Sequence, residues 1–288
     1  MANLKEIRNR ISSVGSTMQI TSAMKMVSAA KLKKAQDAIT AMRPYSIKLT
    51  ELLQGLSATL EGDSGSVYAA QRPVKNILVV VITSNRGLAG AFNSNVVKEV
   101  KSIITSYQDK KVDFITIGKK GNDILKKTHS ILENNNQIFD ELSFDNTAVI
   151  AETLMTLFST EKYDKILLVY NQFKNAATQI VTTEQFLPLV ATKVEETSKS
   201  QSSDYVFEPT KEEIVTQLIP KSLKTQLFAA IRDSVASEHG ARMTAMHKAT
   251  DNATALRDDL KLTYNKARQA AITNEILEIV GGAEALNN

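Results

Sequence analysis

The first 43 residues carry apolar positions in the pattern of a coiled-coil helix. The spacing alternates between three and four residues, which is typical of a helix packed along one seam. The seam positions are Leu4, Ile7, Ile11, Val14, Met18 and Thr21, and the pattern then predicts a register shift to Ile20, Met24 and Val27. Because residues 1–43 contain one glycine and no proline, we predict a single long helix that bends at Arg43–Pro44.

Residues 221–280 repeat this pattern near the other end of the chain. They contain no proline and one glycine, Gly240. The predicted seam comprises Met246, Ala249, Ala253, Leu256, Leu260, Thr263, Ala267, Ala270, Asn274 and Leu277. At about 1.5 Å per residue such a helix is about 90 Å long. Two long helices at opposite ends of one chain most simply pack against each other.

Local signals indicate where this last helix begins and ends. Thr210 with Glu213 forms a capping box after Pro209, and Pro220 predicts a break or kink. Ser222 is then a candidate cap for the next segment, and Gly281–Gly282 predicts the end of the helix.

The middle of the chain alternates short β-branched runs with helical stretches. The predicted strands are 77–83, 112–117, 166–170 and 179–183, and the predicted helices lie near 94–107, 119–132 and 146–160. This βαβ order predicts an α/β domain with a mostly parallel sheet. The expected division is a helix over 1–60, the α/β domain over 74–192, a polar connector over 193–209 and a second helix over 210–288.

Composition narrows the class of protein. The chain has 288 residues, of which 43% are hydrophobic and 23% charged, values typical of globular proteins. It contains no cysteine, which excludes disulfides, thiolate metal ligands and a cysteine nucleophile. The longest apolar run, Ile77–Ile82, is far shorter than the roughly 18 residues that a membrane-spanning helix needs.

Positive charge is concentrated near the beginning of the chain. Residues 1–48 hold nine basic and two acidic side chains, a net charge of +7, against +4 for the whole chain. The densest group is Lys25, Lys31, Lys33 and Lys34. This charge predicts either a solvated face or an acidic partner, which could be nucleic acid, anionic lipid or protein.

Two glycine-bearing turns follow predicted strands and could in principle hold an anion. The Thr83–Gly90 turn lacks the GxGxxG and GxxxxGK[ST] spacings of nucleotide sites, which favours a structural turn. Gly118–Gly121 is a second such turn, for which a solvated loop is the simpler interpretation. The three histidines lack metal-ligand spacing and no serine lies in GxSxG, so we expect no catalytic, metal or cofactor site.

Five segments carry a close resemblance to one family. They are KEIRNRI (5–11) with ITSAMKMVSAAK (20–31), SNRGLAGAFN (84–93), SEHGARMTAM (237–246) and YNKARQAAITNE (264–275). In this order they resemble the γ subunits of the F-type ATP synthases, nearly end to end. Two positions depart from the family pattern, since Asn85 stands where an aspartate is usual and Ala89 where a cysteine is frequent.

The resemblance implies an antiparallel coiled coil of the two terminal helices and a central Rossmann-like α/β domain. In the family the coiled coil turns inside a ring of three α and three β subunits, and the α/β foot meets the ε subunit and the membrane c-ring. The implied role is a rotor shaft, present in one copy, that couples proton flow to ATP synthesis or hydrolysis on β without chemistry of its own. Because the family motif starts by Lys5 with no leader, and the cysteine pair of the chloroplast branch is missing, we expect a bacterial protein. Its expected location is peripheral, on the cytoplasmic face of the inner membrane.

The resemblance also assigns roles to individual positions. Contacts with the catalytic β subunits map onto Lys31, Lys33, Lys34, Arg268, Gln269, Thr273 and Glu275. Met24 and Arg242 are implied to influence coupling, and Tyr205 and Glu208 to lie in the foot near the c-ring and ε. Two other hypotheses remain, a non-rotary coiled-coil tether or scaffold and a nucleotide-binding α/β enzyme with helical extensions.

Overall fold

The computed structural model describes residues 4–59, 67–189 and 211–286. The chain forms two compact units. One contains residues 1–29 and 242–288, and the other contains residues 30–241. Both long helices contribute residues to both units. The predicted connector over 193–209, with Tyr205 and Glu208, lies outside the described residues, as does Thr210 of the predicted capping box.

Helix α1 runs from Leu4 to Thr59 and passes through Pro44. The predicted bend at Arg43–Pro44 therefore falls inside a continuous helix and stays a prediction. A proline costs a helix about 3 kcal/mol through one lost hydrogen bond and a clash. Favourable turns on both sides of Pro44 can offset that amount, which explains why the helix continues.

The apolar seam of α1 keeps one register along its length. Ile7, Thr21, Ser28, Leu32 and Ile39 are buried, at spacings that continue the original three-four alternation. The predicted shift to Ile20, Met24 and Val27 is wrong, because Ile20 is 60% exposed and Val27 56% exposed. The small polar residues Thr21 and Ser28 hold seam positions that hydropathy alone assigns to their apolar neighbours.

Helix α5 runs from Lys211 to Leu286, through both predicted boundaries. Pro220 and Ser222 lie inside it, so neither ends nor caps a helix. Gly281 and Gly282 also lie inside it, and a Cβ at either would meet no neighbouring atom. Glycine in a helix costs only about 1 kcal/mol relative to alanine, so an exposed pair does not have to terminate one.

The central domain contains a five-stranded sheet. Its strands are β1 (Asn76–Ile82), β2 (Lys111–Ile117), β3 (Ile131–Asn134), β4 (Lys165–Phe173) and β5 (Gln179–Leu187). The spatial order is β3-β2-β1-β4-β5, in which the first four strands are parallel and β5 is antiparallel to β4. This order matches that of Rossmann-like folds and confirms the mostly parallel sheet.

Three helices of this domain differ slightly from the sequence prediction. They are α2 (Phe92–Ser106), α3 (Lys119–Leu125) and α4 (Phe144–Ser159). The predicted helix over 119–132 is too long, because the chain enters strand β3 at Ile131. Periodicity cannot distinguish such a four-residue strand from the end of a helix, and only its pairing with β2 reveals it.

The two faces of the sheet are covered by different helices. Alternate residues of β1 point to opposite faces, as in any strand. Ile77, Val79 and Val81 pack with residues of α2 such as Val96 and Val100. Leu78, Val80 and Ile82 belong to the other core, together with α4 and the Ile219–Ile231 stretch of α5. Helix α5 is therefore a layer of the α/β domain as well as a partner of α1.

Candidate functional site

The two terminal helices meet as an antiparallel pair within the first compact unit. The hydroxyls of Thr21 and Thr250 lie 2.8 Å apart and share a hydrogen bond. The sulfur of Met18 accepts hydrogen bonds from Thr254 at 3.4 Å and Arg257 at 3.6 Å. Because lower numbers on α1 pair with higher numbers on α5, the helices run in opposite directions, as the resemblance implies.

These contacts correct the predicted seam of α5. Met246, Ala253 and Leu260 are buried as expected, but Leu256 is 47% exposed and Thr263 is exposed. Thr250, Arg257 and Tyr264 make the contacts with α1 instead. Polar side chains thus occupy every second seam position, where an apolarity pattern cannot find them.

Arg8 of α1 and Tyr264 of α5 form a further, exposed contact between the two helices near the start of α1. Arg8 Nη2 donates a 2.7 Å hydrogen bond to the hydroxyl of Tyr264, and the guanidinium lies 5.6 Å from the centre of the ring. The hydrogen bond to Arg8 lowers the pKa of Tyr264, because the cation stabilises the tyrosinate. The same bond raises the pKa of Arg8.

This pair gives a direct titration test of the helix register. We expect Arg8→Ala to raise the pKa of Tyr264 towards the ordinary tyrosine value, since the cation and its hydrogen bond are lost. Ultraviolet absorbance titration measures this shift, with Tyr264→Phe identifying the signal and Arg10→Ala as the control. An unchanged Tyr264 titration in Arg8→Ala would contradict the pairing.

The last part of α5 is exposed on all sides. Every residue from Arg268 to Ala283 is exposed, including a series of large apolar side chains. They are Ile272, Ile276, Leu277, Ile279 and Val280, with exposed fractions between 45% and 67%. So much uncovered apolar surface on one helix end marks a surface for another protein.

The sequence-predicted contact residues fall on exposed parts of the helices. Lys31, Lys33 and Lys34 are exposed on α1, and Lys33 pairs with Asp37 at 3.0 Å. Arg268, Gln269, Thr273 and Glu275 are exposed on α5, and the Thr273 hydroxyl donates to the Gln269 carbonyl at 2.9 Å. Met24 is half-buried and Arg242 is buried at 7% exposure. The structure therefore leaves the seven proposed β contacts accessible, and their roles stay predictions.

The turn after β1 lies at the carboxyl edge of the sheet, beside the point where the strand order reverses. Open α/β sheets bind ligands in this crevice. Here Ser84 N and Ser84 Oγ both donate to Asn93 Oδ1, at 3.0 and 3.1 Å. Asn171 Nδ2, on β4, donates to the Phe92 carbonyl at 3.1 Å. Side chains of the protein itself therefore occupy this part of the crevice.

In the second glycine-bearing turn, Gly118–Gly121, the backbone donors also bond to groups of the protein itself. The first three amides of α3 all donate to residues of the β1 turn. Lys119 N donates to Asn85 Oδ1 (3.0 Å), Lys120 N to the Ser84 carbonyl (3.0 Å) and Gly121 N to Thr83 Oγ1 (2.9 Å). An anion at Gly118–Gly121 would need these same donors, so the contacts favour a structural role for both turns. The solvated loop predicted at Gly118–Gly121 is wrong, because Gly118 and Gly121 are buried against the turn after β1.

Asn85 uses both ends of its side-chain amide in this arrangement. While Oδ1 caps α3, Nδ2 donates to the Asn136 carbonyl at 2.9 Å. The aspartate that is usual in the family could accept the first bond but could not donate the second. This asparagine therefore connects three segments of the domain. The departure from the family pattern is visible in the sequence, but no sequence signal points to the Asn136 carbonyl as its partner.

Across the described parts of the chain, none of the helices is long and apolar enough to cross a membrane.

Comparison with known proteins gives a consistent result. The ATP synthase family model matches residues 3–286. The ATP synthase gamma chain of Flavobacterium johnsoniae is 72% identical over 287 residues, which cover 100% of each chain. The ATP synthase gamma chain of Geobacter sp. is 43% identical over 288 residues, or 99% of each chain.

Solved structures agree with the fold. The central stalk and c-ring structure of the Tetrahymena thermophila mitochondrial ATP synthase contains a chain that is 26% identical, with a TM-score of 0.60. The match covers 80% of this chain and 99% of that one. A rotor chain of the Euglena gracilis mitochondrial ATP synthase has the same fold, with a TM-score of 0.69 at 23% identity over 93% of this chain and 98% of that one. The family match and the full-length relatives agree with a fold that contains both an antiparallel helix pair and a Rossmann-like domain, and this chain therefore belongs to the ATP synthase γ chains, the central stalk subunits of that complex.

Proposed function

We propose that this chain is the rotor shaft through which proton flow across a bacterial inner membrane drives ATP synthesis, and ATP hydrolysis drives proton flow in reverse. The observation that carries this proposal is the uncovered apolar end of α5, which continues from a helix pair that is packed along its own seam. Such an end requires a partner that surrounds it. A ring of three α and three β subunits supplies an enclosing surface on every side.

A single shaft in a threefold ring produces unequal contacts. The γ chain has no threefold symmetry, so at any angle it touches each of the three β subunits with a different face. A contact that differs among sites shifts each site towards a different conformation and nucleotide affinity. Rotation then moves each β subunit through these states in turn. In this mechanism the γ chain contributes binding surfaces and mechanical coupling, and the chemistry takes place on β.

The proposed β contacts use exposed polar side chains. Arg268 and Gln269 extend from the exposed end of α5 and can donate hydrogen bonds to carboxylates and carbonyls of β loops. Thr273 and Glu275 lie within two turns of them. Lys31, Lys33 and Lys34 present three ammonium groups to an acidic segment of β, a more specific explanation of the basic segment than nucleic acid. Met24 and Arg242 are proposed to influence coupling.

The remaining partners follow from the same assignment. We place one copy of the chain in each complex, with ε and the c-ring at the α/β domain and with Tyr205 and Glu208 near both. The chain is peripheral, on the cytoplasmic face of the membrane. The division into helix (1–60), foot (74–192), connector (193–209) and helix (210–288) is part of this proposal.

Reconstitution tests the proposed function. We expect the chain, mixed with its cognate α and β subunits, nucleotide and magnesium, to form a complex with one copy per three αβ pairs and to stimulate ATP hydrolysis. Native mass spectrometry gives the composition. A stable self-association without binding to α and β would support the tether instead. Binding of labelled ATP by the isolated chain would support the nucleotide-binding enzyme.

Arg268→Ala tests one proposed contact. The side chain is exposed, so we expect the stability of the isolated chain to change by less than about 0.5 kcal/mol. Coupled ATP synthesis in membranes should fall, because a charged donor to β is lost. Lys261→Ala, which removes another exposed cation of α5, is the matched control. Equal ATP synthesis by Arg268→Ala and wild type would remove this contact from the proposal.

A further inference from the structure

The junction between α5 and the α/β domain contains directional polar contacts in addition to its apolar core. The carboxylate of Glu184, on β5, accepts a hydrogen bond at each oxygen. Tyr170 donates to Oε2 at 3.0 Å from β4, and Gln226 Nε2 donates to Oε1 at 2.6 Å from α5. One side chain thus ties two strands of the sheet to the long helix.

The burial of the residues around Glu184 stabilises these two hydrogen bonds. Tyr170 is buried, and burial, followed by the charge of Glu184, raises its pKa, so that the hydroxyl stays protonated and donates. Hydrogen bonds to an ionised acceptor are roughly twice as strong as neutral ones. Glu184 and Gln226 are half-buried, which limits competition from water.

Two further contacts fix the same stretch of α5 at positions on either side of Gln226. Lys224 Nζ pairs with Glu152 of α4 at 2.5 Å. Further along α5, a Cβ at Gly240 would lie 3.1 Å from the carbonyl of Ala176, in the turn between β4 and β5, so the helix backbone lies directly against that turn. The apolar residues between them, Leu227 and Ile231 among others, belong to the domain core.

Apolar packing and polar contacts resist different motions. Apolar burial is non-directional, so its free energy depends less on the exact angle of a contact than that of a hydrogen bond does. A charged hydrogen bond weakens when its angle changes, and therefore opposes rotation of α5 about its own axis. A rotor subunit has to transmit torque, which acts as such a rotation, between its foot and its shaft.

We propose that Glu184, held between Tyr170 and Gln226, is a positioning residue that stiffens the joint between the α/β foot and the α5 shaft. The inference rests on the proposed rotor function. It assigns Glu184 no contact with the catalytic subunits. Its loss affects the angular stiffness of the foot and leaves nucleotide chemistry on the ring intact.

The test uses single-molecule rotation of the reconstituted complex with a bead on the foot. Because the chain contains no cysteine, a cysteine at Ser130 provides one defined attachment point. We expect Glu184→Ala to increase the angular variance of the bead during pauses, while the ATPase rate of the complex stays at the wild-type value. Glu184→Gln, which still accepts hydrogen bonds, should restore part of the stiffness. Glu133→Ala, an exposed carboxylate on β3, is the matched control.

The outcomes separate this inference from the function on which it rests. If the wild-type chain neither assembles nor rotates, the rotor function fails before any variant is compared. If the wild type rotates and Glu184→Ala shows the same angular variance as Glu133→Ala, the proposed stiffening role of Glu184 is refuted. Should Glu184→Ala unfold the domain, Tyr170→Phe and Gln226→Ala replace it in the test, since each removes one hydrogen bond to Glu184. Wild-type angular variance in both variants would also refute the proposed role of Glu184.

Discussion

A Gly118→Ala variant is expected to lose about 3 kcal/mol of folding stability or more, through backbone strain and a steric clash. Gly118 has φ of 113° and ψ of 142°, a conformation that L-residues other than glycine rarely adopt. A Cβ at this position would lie 2.1 Å from the carbonyl oxygen of Thr83. The neighbour is backbone in the central strand region, so it cannot move aside without disturbing the sheet.

Chemical unfolding of the isolated chain, followed by circular dichroism, measures this loss. Gly87→Ala is the matched control, because a Cβ there would lie 3.7 Å from Lys120 Cε, an ordinary contact with a flexible side chain. A loss of about 3 kcal/mol is a large part of the 5–15 kcal/mol available to a typical domain. Equal unfolding midpoints for Gly118→Ala and Gly87→Ala would contradict the close packing of Gly118 against the Thr83 carbonyl.

The double variant Ile276→Asp/Ile279→Asp is expected to leave the isolated chain folded and to weaken assembly with α and β at least about tenfold, or 1.4 kcal/mol. The two side chains are 54% and 67% exposed, so their replacement removes little internal packing. In the proposed complex they become buried, and burial of a carboxylate without a partner is costly. Assembly should therefore weaken while the stability of the free chain changes little.

Thermal unfolding of the free chain and titration of ATPase stimulation against its concentration measure the two effects. Asn252→Asp adds one charge at an exposed position of α5 outside the apolar end and serves as the control. Wild-type stimulation by the double variant would mean that the apolar end of α5 is not enclosed by the ring. A loss of stability in the free chain would mean instead that these residues pack within the chain.

The coiled coil illustrates how far the sequence prediction extends. The three-four spacing from Leu4 to Thr21, together with the lack of proline, was enough to predict α1 and its seam. The predicted register shift at the end of this stretch was wrong, because a pattern based on apolar residues assigns Ile20 and Val27 to the core in preference to Ser28. In a close helix pair small polar residues fill the seam well, and the Thr21 hydroxyl is satisfied by contacts with the Met18 carbonyl at 3.1 Å and the Thr250 hydroxyl at 2.8 Å.

The α/β domain shows the same limit at its turns. Runs such as Ile77–Ile82 and Ile166–Tyr170 identify buried strands by their β-branched and apolar content alone. The two glycine turns also followed from the sequence. Their closure by Thr83, Asn85 and Asn93 did not, since each of these side chains reaches a backbone group or side chain that is 9 to 51 positions away along the chain.

Local spacing and motifs were enough to predict two long terminal helices, a βαβ middle, a basic first segment and membership of a family. They could not predict which face of α5 meets α1, that β3 is a strand, that Pro44 and Pro220 lie inside helices, or that Glu184 joins α5 to the sheet. The physical reason is that each of these depends on a partner distant in sequence, whose packing or hydrogen bonds outweigh the local preference of the residues involved.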